Sequence, residues 1–349
     1  MYDSRDNCNA IIETASNSLF LGCKGTIVPN GVTTIGESAF EGCSGLTSVY
    51  IPNSVTTFGK NAFKDCSNLK KVELNNNALV SKDNQSVSPT PITSIFGNQV
   101  EEYVIGEDVT RIGNYAFLNS QNLTSVSMSN SITSIGEGAF SHCIQLTTIK
   151  MSDNLTSIGN NAFIDCYHLT SMTIPSGVTN IDLWAFGGCG FKMVVLNSNA
   201  IVSKDYGSHS SLSEFFGPYV KEFVLGEGIT RVGNYAFGSC KFEDMYCYAE
   251  QVPETGSDVF IYSNYTNATL HVPAGSLEAY SNAEQWKDFK EIVSLTDDDP
   301  NPNGIQIINS DVMTGEHYYS LDGKHTTTPQ RGLNIIRMRN GTTKKIVIK

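Results

Sequence analysis

Apolar residues recur along this chain in a unit of 23 residues, and each unit holds two short segments with strand character. In the unit at residues 40–63, Val49 and Ile51 alternate with polar positions, and Val55 and Phe58 form a second apolar pair further on. Alternation of this kind predicts a half-buried strand. The pattern therefore predicts two short strands in every unit.

The dipeptide Ala-Phe marks the same place in successive units. The steps between copies are 23, 54, 23, 23, 23, 51 and 23 residues, and the last copy is degenerate, with Val259-Phe260 in place of Ala-Phe. A fixed period in this range predicts a solenoid whose coils stack and share one continuous core. We expect about eleven stacked strands, roughly 50 Å from end to end. The intact copies begin at Ala39, Ala62, Ala116, Ala139, Ala162, Ala185 and Ala236.

The two long steps each contain one enlarged coil without its own Ala-Phe. These coils are similar to each other, since residues 196–205 repeat residues 74–83 and residues 221–226 repeat residues 101–106. A larger repeat of about five coils therefore lies over the small one. Residues 9–12 repeat the Asn-Ala motif with which residues 77–80 and 199–202 of these coils begin. This repetition suggests that the chain begins inside such a coil, with a signal peptide or further coils upstream in a parent protein.

The unit Ile-Gly-x-x-Ala-Phe-x-x-Cys-x-x-Leu-x-x-Ile-x-Ile-Pro-x-x-Val-Thr resembles the BspA-like leucine-rich repeats of surface proteins from gut and oral Bacteroidetes and some protozoa. The resemblance covers residues 1–273. It implies a repeat solenoid of the leucine-rich-repeat type, mainly β with short helical turns and 23-residue coils. It also implies a secreted or cell-surface protein associated with adhesion to host matrix proteins or to other cells. The family has no shared catalytic residues.

Composition and charge agree with an extracellular solenoid. The 349 residues are 40% hydrophobic and 17% charged, with a net charge of −12. Lys and Arg form no cluster outside the last nineteen residues, so the sequence does not favour a nucleic-acid partner. No apolar run reaches the length of a membrane span.

Six of the nine cysteines occupy one column of the repeat, three residues after Phe. Stacked side chains in such a column run parallel instead of facing one another, so we expect free, buried, structural thiols. Cys240 and Cys247 are the only pair that the sequence places at a spacing for a local disulfide loop. No zinc-ligand spacing is present, so no metal site is predicted. The column holds Cys43, Cys66, Cys143, Cys166, Cys189 and Cys240, with Ser120 in the remaining place.

The sequence shows no catalytic motif and predicts no cofactor. The six histidines lie in variable slots or in the C-terminal part, and none belongs to a His-Glu-x-x-His motif. The acidic stretch at residues 297–304 has Pro302 where a calcium loop needs its turn glycine, which favours a solvated linker. The chain is therefore interpreted as a protein that is not an enzyme.

The sequence divides the chain into a solenoid at residues 1–273, a helical cap with a last strand at 274–296, the linker at 297–304 and a β-module at 305–349. Ser276 is expected to cap a helix whose apolar residues are Leu277, Tyr280, Ala283, Trp286 and Phe289.

The β-module is expected to have strands at 305–308, 318–321, 333–338 and 345–348, with turns at 322–323 and 340–341. It resembles the C-terminal module of many secreted Bacteroidetes proteins, which in some is a sorting signal. Here Leu333 stands where an aromatic residue commonly follows the glycine. A small accessory domain without a sorting role is the alternative.

Polar positions that alternate with the core residues of each strand should face outward on the sheet. Charge is concentrated there in two places, near the two enlarged coils, and we interpret both groups as candidate contacts for a protein ligand. A solvated face without a partner is the alternative. The first group is Lys71, Glu73 and Glu102, and the second is Glu222, Asp244 and Tyr246.

Trp184 breaks the pattern of its column, because the position before Ala-Phe is usually polar or small. With Leu183 it would be an exposed anchor for a partner, since tryptophan is enriched in interface hot spots. The favoured alternative is that Trp184 packs beneath the enlarged coil at residues 197–217.

Two functions follow from these patterns. The first is a surface-exposed adhesion protein that binds host extracellular matrix or cell-surface proteins through its extended sheet face. The second is a structural spacer or display scaffold on the bacterial surface that binds nothing itself.

Overall fold

The protein is a solenoid of stacked coils, as the period predicts. The computed structural model describes residues 2–85, 90–207 and 210–302, together with the backbone of five strands between residues 306 and 348. Each 23-residue coil contributes one long strand, one short strand and two turns, and the side chains between the strands form one continuous core.

The long strands pair in parallel and form two stacks, one of five strands and one of six. Their side chains alternate between buried and partly exposed, as in the pattern of Ser48–Ile51. We call the solvent side of these strands the outer face. The eleven strands confirm the predicted number for the described solenoid, and they are Ser48–Ile51, Lys71–Leu74, Glu102–Ile105, Ser125–Met128, Thr148–Lys150, Ser171–Ile174, Met193–Leu196, Glu222–Leu225, Asp244–Cys247, Thr269–Val272 and Glu291–Ser294.

The short strands form a second set of sheets on the opposite side of the core. Most pair in parallel with the next coil, but the first three form an antiparallel ribbon. These strands are Tyr2–Asp3, Ile11–Glu13, Ser18–Leu21, Thr34–Ile35, Thr57–Phe58, Arg111–Ile112, Ser134–Ile135, Ser157–Ile158, Asn180–Ile181, Arg231–Val232 and Glu254–Thr255.

The N-terminal motif at residues 9–12 does not adopt the helical conformation that the same motif has in the two enlarged coils. Asn9 has a left-handed φ of 53°, and Ile11–Glu13 is a strand. Cys8 precedes this motif. In the two enlarged coils the corresponding residue is a helix-capping residue, Asn76 or Ser198. Without that cap the first amides of a helix have no acceptor.

The Ala-Phe turn has the same backbone conformation in every coil. The residue before it adopts a φ between 50° and 59° in eight coils. This turn sends the phenylalanine inward, where the rings of neighbouring coils stack, for example Phe117 on Phe140 at 5.0 Å and Phe140 on Phe163 at 5.1 Å. The buried aromatic column is the main specific contact between coils.

The cysteine column consists of free thiols, and each of the nine cysteines is unpaired. Cys66 Sγ donates to the carbonyl of Phe40 in the preceding coil at 3.0 Å, and Cys143 Sγ does the same to Phe117 at 3.2 Å. Ser120, in the remaining place of the column, donates its hydroxyl hydrogen to the carbonyl of Phe117 in its own coil at 2.8 Å. The column therefore selects a small side chain that also donates a hydrogen bond.

The enlarged coils have a helix in place of the short strand. The second helix of each enlarged coil supplies the phenylalanine that continues the aromatic column. Phe96 lies 4.9 Å from Phe63, and Phe216 lies 5.3 Å from Phe186, measured between ring centres. The helices of the two coils are Asn77–Val80 and Thr93–Phe96 in the first, and Asn199–Val202 and Ser213–Phe216 in the second.

The C-terminal end of the core is closed by a short helix, Leu277–Asn282, and by a 3-10 turn, Trp286–Asp288. The helix is shorter than the apolar spacing predicts, and the Ser276 hydroxyl does not cap it but donates to the carbonyl of Glu250 at 2.6 Å. Trp286 is buried and packs against Phe260. Three more 3-10 segments are Arg5–Asn7, Tyr265–Asn267 and Ala274–Ser276.

Beyond residue 302 the structure describes five paired strands. Four overlap the predicted strands and His325–Thr326 is additional, while both predicted turns lie outside the described residues. The strands are Gln306–Ile307, His317–Tyr319, His325–Thr326, Gly332–Arg337 and Thr343–Ile348.

Candidate functional site

The N-terminal half of the outer face, from Tyr50 to Lys150, carries polar and charged side chains. Lys71 and Glu102 stand opposite each other on adjacent strands, and Tyr50 stands opposite Glu73 in the next row. The Tyr50 side chain is 38% exposed. The register thus gathers one aromatic ring, one amine and two carboxylates on one accessible surface.

Lys71 is the centre of this group. Its Nζ lies 3.2 Å from Glu102 Oε1 and 3.4 Å from Glu73 Oε1. The hydrogen bond to Glu102 raises the pKa of the Lys71 amine above its ordinary value. The structure therefore brings the first predicted group of site residues together as one ion-pair network.

The C-terminal half of the outer face is apolar and covered. Val195 and Val224 face outward at the predicted positions, yet they are buried, and Leu295 packs against them. The chain turns back after its last long strand, so that Asn197 Nδ2 donates to the carbonyl of Pro302 at 3.0 Å. Residues 295–302, which we call the strap, therefore lie against this face.

Two predictions are wrong here. Tyr246 is only 8% exposed, because the strap covers it and because its ring stacks on His271 at 4.3 Å between ring centres. The stretch at 297–302 is not a purely solvated linker, since the side chain of Asp299 is 13% exposed and approaches His271 Nδ1. Burial raises the pKa of the Tyr246 hydroxyl, with the neighbouring carboxylates adding to the effect.

Glu222 and Asp244 lie next to each other in register beside this covered surface. Desolvation raises the pKa of the Glu222 carboxyl, and the Asp244 charge acts in the same direction. Asp244 Oδ1 lies 3.1 Å from His271 Nε2. The second predicted group therefore sits together, but Asp244 is engaged with the chain's own His271, which Asp299 of the strap also approaches.

Trp184 stands apart from both groups, in the turn that follows Asn180–Ile181. The favoured prediction, that it packs beneath the enlarged coil, is wrong, because its side chain is 63% exposed. Its φ of 58° is the left-handed value that this surface turn has in every coil. Leu183 beside it is 55% exposed.

The described residues contain no group of three or more His, Cys, Asp or Glu side chains that could hold a metal ion. Within the same residues, no helix is long and apolar enough to cross a membrane. The arrangement on the outer face suits noncovalent recognition, since it presents paired charges and one partly exposed ring on a rigid sheet.

The repeat pattern does not single out Gln99 and Tyr219, which occupy equivalent places after the helices of the two enlarged coils. Gln99 folds inward and donates to two carbonyls, whereas Tyr219 is 79% exposed. Aligning the two enlarged coils residue by residue would have shown the exchange.

Several solved structures are similar to this chain. A leucine rich cell surface protein from Faecalibacterium prausnitzii A2-165 has 19% identity and a TM-score of 0.35, over 85% of this chain and 95% of that chain. A leucine-rich repeat protein from Bacteroides ovatus ATCC 8483 has 16% identity and a TM-score of 0.29, over 85% and 98%. The pneumococcal vaccine antigen PcpA has 18% identity and a TM-score of 0.35, over 76% and 60%. At these TM-scores the likenesses carry no argument about function.

A search of curated proteins found no match. The family model of the BspA type leucine rich repeat region matches residues 7–97, 94–213 and 211–297, in six copies. These segments cover nearly the whole described solenoid and its cap, and they contain the stacked turns and columns set out above. The chain therefore belongs to the BspA-type leucine-rich-repeat family.

Proposed function

We propose that this chain is a secreted or cell-surface adhesion protein that binds a protein ligand through the N-terminal half of its outer face. Family membership and the implied surface location support an extracellular ligand, such as a host matrix or cell-surface protein. Leucine-rich repeats use extended sheet faces for protein recognition.

One observation carries the choice of surface. The two halves of the outer face differ, because the strap covers the C-terminal half while Lys71, Glu73 and Glu102 remain partly exposed in the N-terminal half. Tyr50 replaces Tyr246 as the aromatic contact, since its ring is accessible and adjoins the charges. A rigid aromatic anchor surrounded by charge is typical of an interface hot spot.

Binding of the purified chain to immobilised host matrix proteins and mucins, measured by surface plasmon resonance, tests this proposal. Tyr50→Ala should weaken binding by about 2 kcal/mol, and the Lys71→Ala, Glu73→Ala, Glu102→Ala triple variant should slow association. The exposed ion pair Lys221–Glu243, at 2.6 Å, supplies the control, since its double alanine variant should bind like the wild type.

The alternative function, a spacer or display scaffold, makes the opposite prediction. It requires that no matrix protein or mucin in the panel binds the chain. Equal binding by the wild type and the outer-face variants would move the site away from this surface.

A further inference from the structure

The two enlarged coils form equivalent grooves with different walls. The first groove, about 520 Å³, lies between the turn at residues 61–67 and the segment 93–99. The second groove, about 630 Å³, lies between the turn at residues 183–189 and the segment 213–218. None of these lining residues belongs to the outer face, so this surface is separate from the proposed adhesion site.

The chain places one of its own side chains, Gln99, in the first groove, and we call this side chain the plug. Gln99 Nε2 donates to the carbonyl of Cys66 at 3.1 Å and to that of Phe96 at 2.7 Å. The rim of this groove is polar, with Asn61, Lys64 and Asp65. An amide at the end of a short apolar stem thus satisfies two carbonyls in the wall of this groove.

The second groove has lost that plug and its polar rim. Tyr219 replaces Gln99, and its side chain is 79% exposed instead of folded inward. Trp184 replaces Asn61, while Gly187 and Gly188 replace Lys64 and Asp65. The exchanges open the groove and surround it with aromatic rings.

The chemistry of the open groove can be read from its walls. Phe215 and Trp184 supply apolar faces. The carbonyls of Cys189 and Phe216 correspond to those that Gln99 satisfies, and within the described residues no side chain donates to them. Glu214 adds a carboxylate where the first groove has Ser94. The groove therefore offers apolar walls, two acceptors and one negative charge.

We propose that the second groove binds a Lys or Arg side chain from an extended segment of a partner protein. The aliphatic stem would lie on Trp184 and Phe215, and the cationic head would donate to the free carbonyls and to Glu214. This ligand has the features of the Gln99 plug, an apolar stem with terminal N–H donors, plus a positive charge that the acidic rim favours. The net charge of −12 also attracts a basic partner.

A random dodecapeptide library displayed on phage, selected on the full chain, tests the proposal. The selected peptides should share a Lys or Arg, and replacing that residue with norleucine should weaken binding at least about tenfold. Acrylamide quenching gives a direct readout, because Trp184 is exposed while Trp286, the other tryptophan, is 1% exposed. A bound peptide should protect Trp184 from the quencher.

Two substitutions copy the first groove into the second. Tyr219→Gln restores the plug and Trp184→Asn restores the polar rim, and each should weaken the selected peptides at least about tenfold. Both replaced side chains are exposed, and asparagine suits a left-handed turn, so neither change should lower the melting temperature. Asn61→Ala in the first groove is the matched control and should leave peptide binding unchanged.

Three results would overturn the proposal. Selected peptides without a basic residue would show that the groove takes a neutral apolar segment. Failure to select any peptide that depends on Trp184 would remove the groove as a site. A wild-type dimer in sedimentation that Trp184→Asn makes monomeric would assign the groove to a second copy of this chain.

Discussion

The thiol column shows how far single residues can be predicted from this sequence. The repeat predicts a small side chain at each position of the column and free thiols at the cysteines, and the cysteines of the structure are free. The hydrogen bonds to the preceding coil were not expected, because a repeat pattern shows size and polarity but not the distance between coils. Four thiols of the column make them, Cys66, Cys143, Cys166 and Cys189. Ser120 was the available signal, since serine shares with cysteine a donor hydrogen.

Thiol reactivity tests the column. In the native protein, Cys23 should react quickly with an aromatic disulfide reagent, because it is exposed, whereas the buried column thiols should wait for unfolding. Burial raises the pKa of the Cys66 thiol to about 11 and that of Cys240 to about 12. At about pH 9 these two thiols should therefore remain protonated and unreactive in the native protein.

Mass spectrometry of the labelled protein identifies the reacting cysteines, with Cys23→Ser as the control that removes the fast phase. The denatured chain should give nine reactive thiols. Fast native labelling of Cys66 or Cys240 would contradict the buried column.

At the scale of elements, the strands were predictable because their apolar period repeats in every coil. The helices of the enlarged coils were not, since each spans only four residues and the first helix of each coil depends on one buried cap. Asn76 accepts from Leu79 N at 2.8 Å and donates to the carbonyls of Pro52 and Val55. Ser198 caps the second coil in the same way.

Asn76→Ala should destabilise the protein by about 2–3 kcal/mol, because it removes a helix cap and leaves buried carbonyls without a donor. Asn76→Ser should cost less, since serine already serves at position 198. Urea unfolding of the two variants measures the difference. If the alanine variant were as stable as the serine variant, the cap would not be what holds this helix.

The end of the core also depends on an element that the repeat does not contain. The open end of a solenoid leads one to expect that Phe260→Ala costs less than a change at a central coil. The structure removes the basis of this expectation, because Phe260 is 3% exposed and packs on Phe289 at 5.3 Å and on Trp286 at 5.8 Å between ring centres. The cap gives the last coil a neighbour on both sides.

We therefore expect Phe260→Ala and Phe140→Ala to cost similar amounts, about 3–5 kcal/mol each, by loss of buried area and cavity formation. Phe20→Ala is the control and should cost well under about 1 kcal/mol, since this ring is 60% exposed. Chemical denaturation of the three variants measures their free energies of unfolding. A markedly smaller loss for Phe260 would show that the cap does not support the last coil.

At the scale of the whole molecule, the sequence predicted correctly which side chains point to the solvent side of the strands, but only partly which of them are exposed. Alternation placed Val195, Val224 and Tyr246 on the solvent side of the strands, and the structure agrees. Their burial arises from the strap, which lies about fifty to a hundred residues later in the chain. A period of two residues reports which way a side chain faces, and it carries no information about a distant segment that covers that face.

Leu295→Asp should release the strap, because the new carboxylate would lie beside the apolar cluster and near Asp299 and Asp244. Release exposes Tyr246, lowers the raised pKa of its hydroxyl and so increases the share of the reactive phenolate. Nitration by tetranitromethane, followed by peptide mass spectrometry, should then modify Tyr246 faster in the variant. Tyr219, exposed in any case, should react equally in both proteins, and buried Tyr103 should react in neither. If Tyr246 reacted at the wild-type rate in Leu295→Asp, the strap would not be what closes the C-terminal half, and that surface would have to be counted among the possible contacts of a ligand.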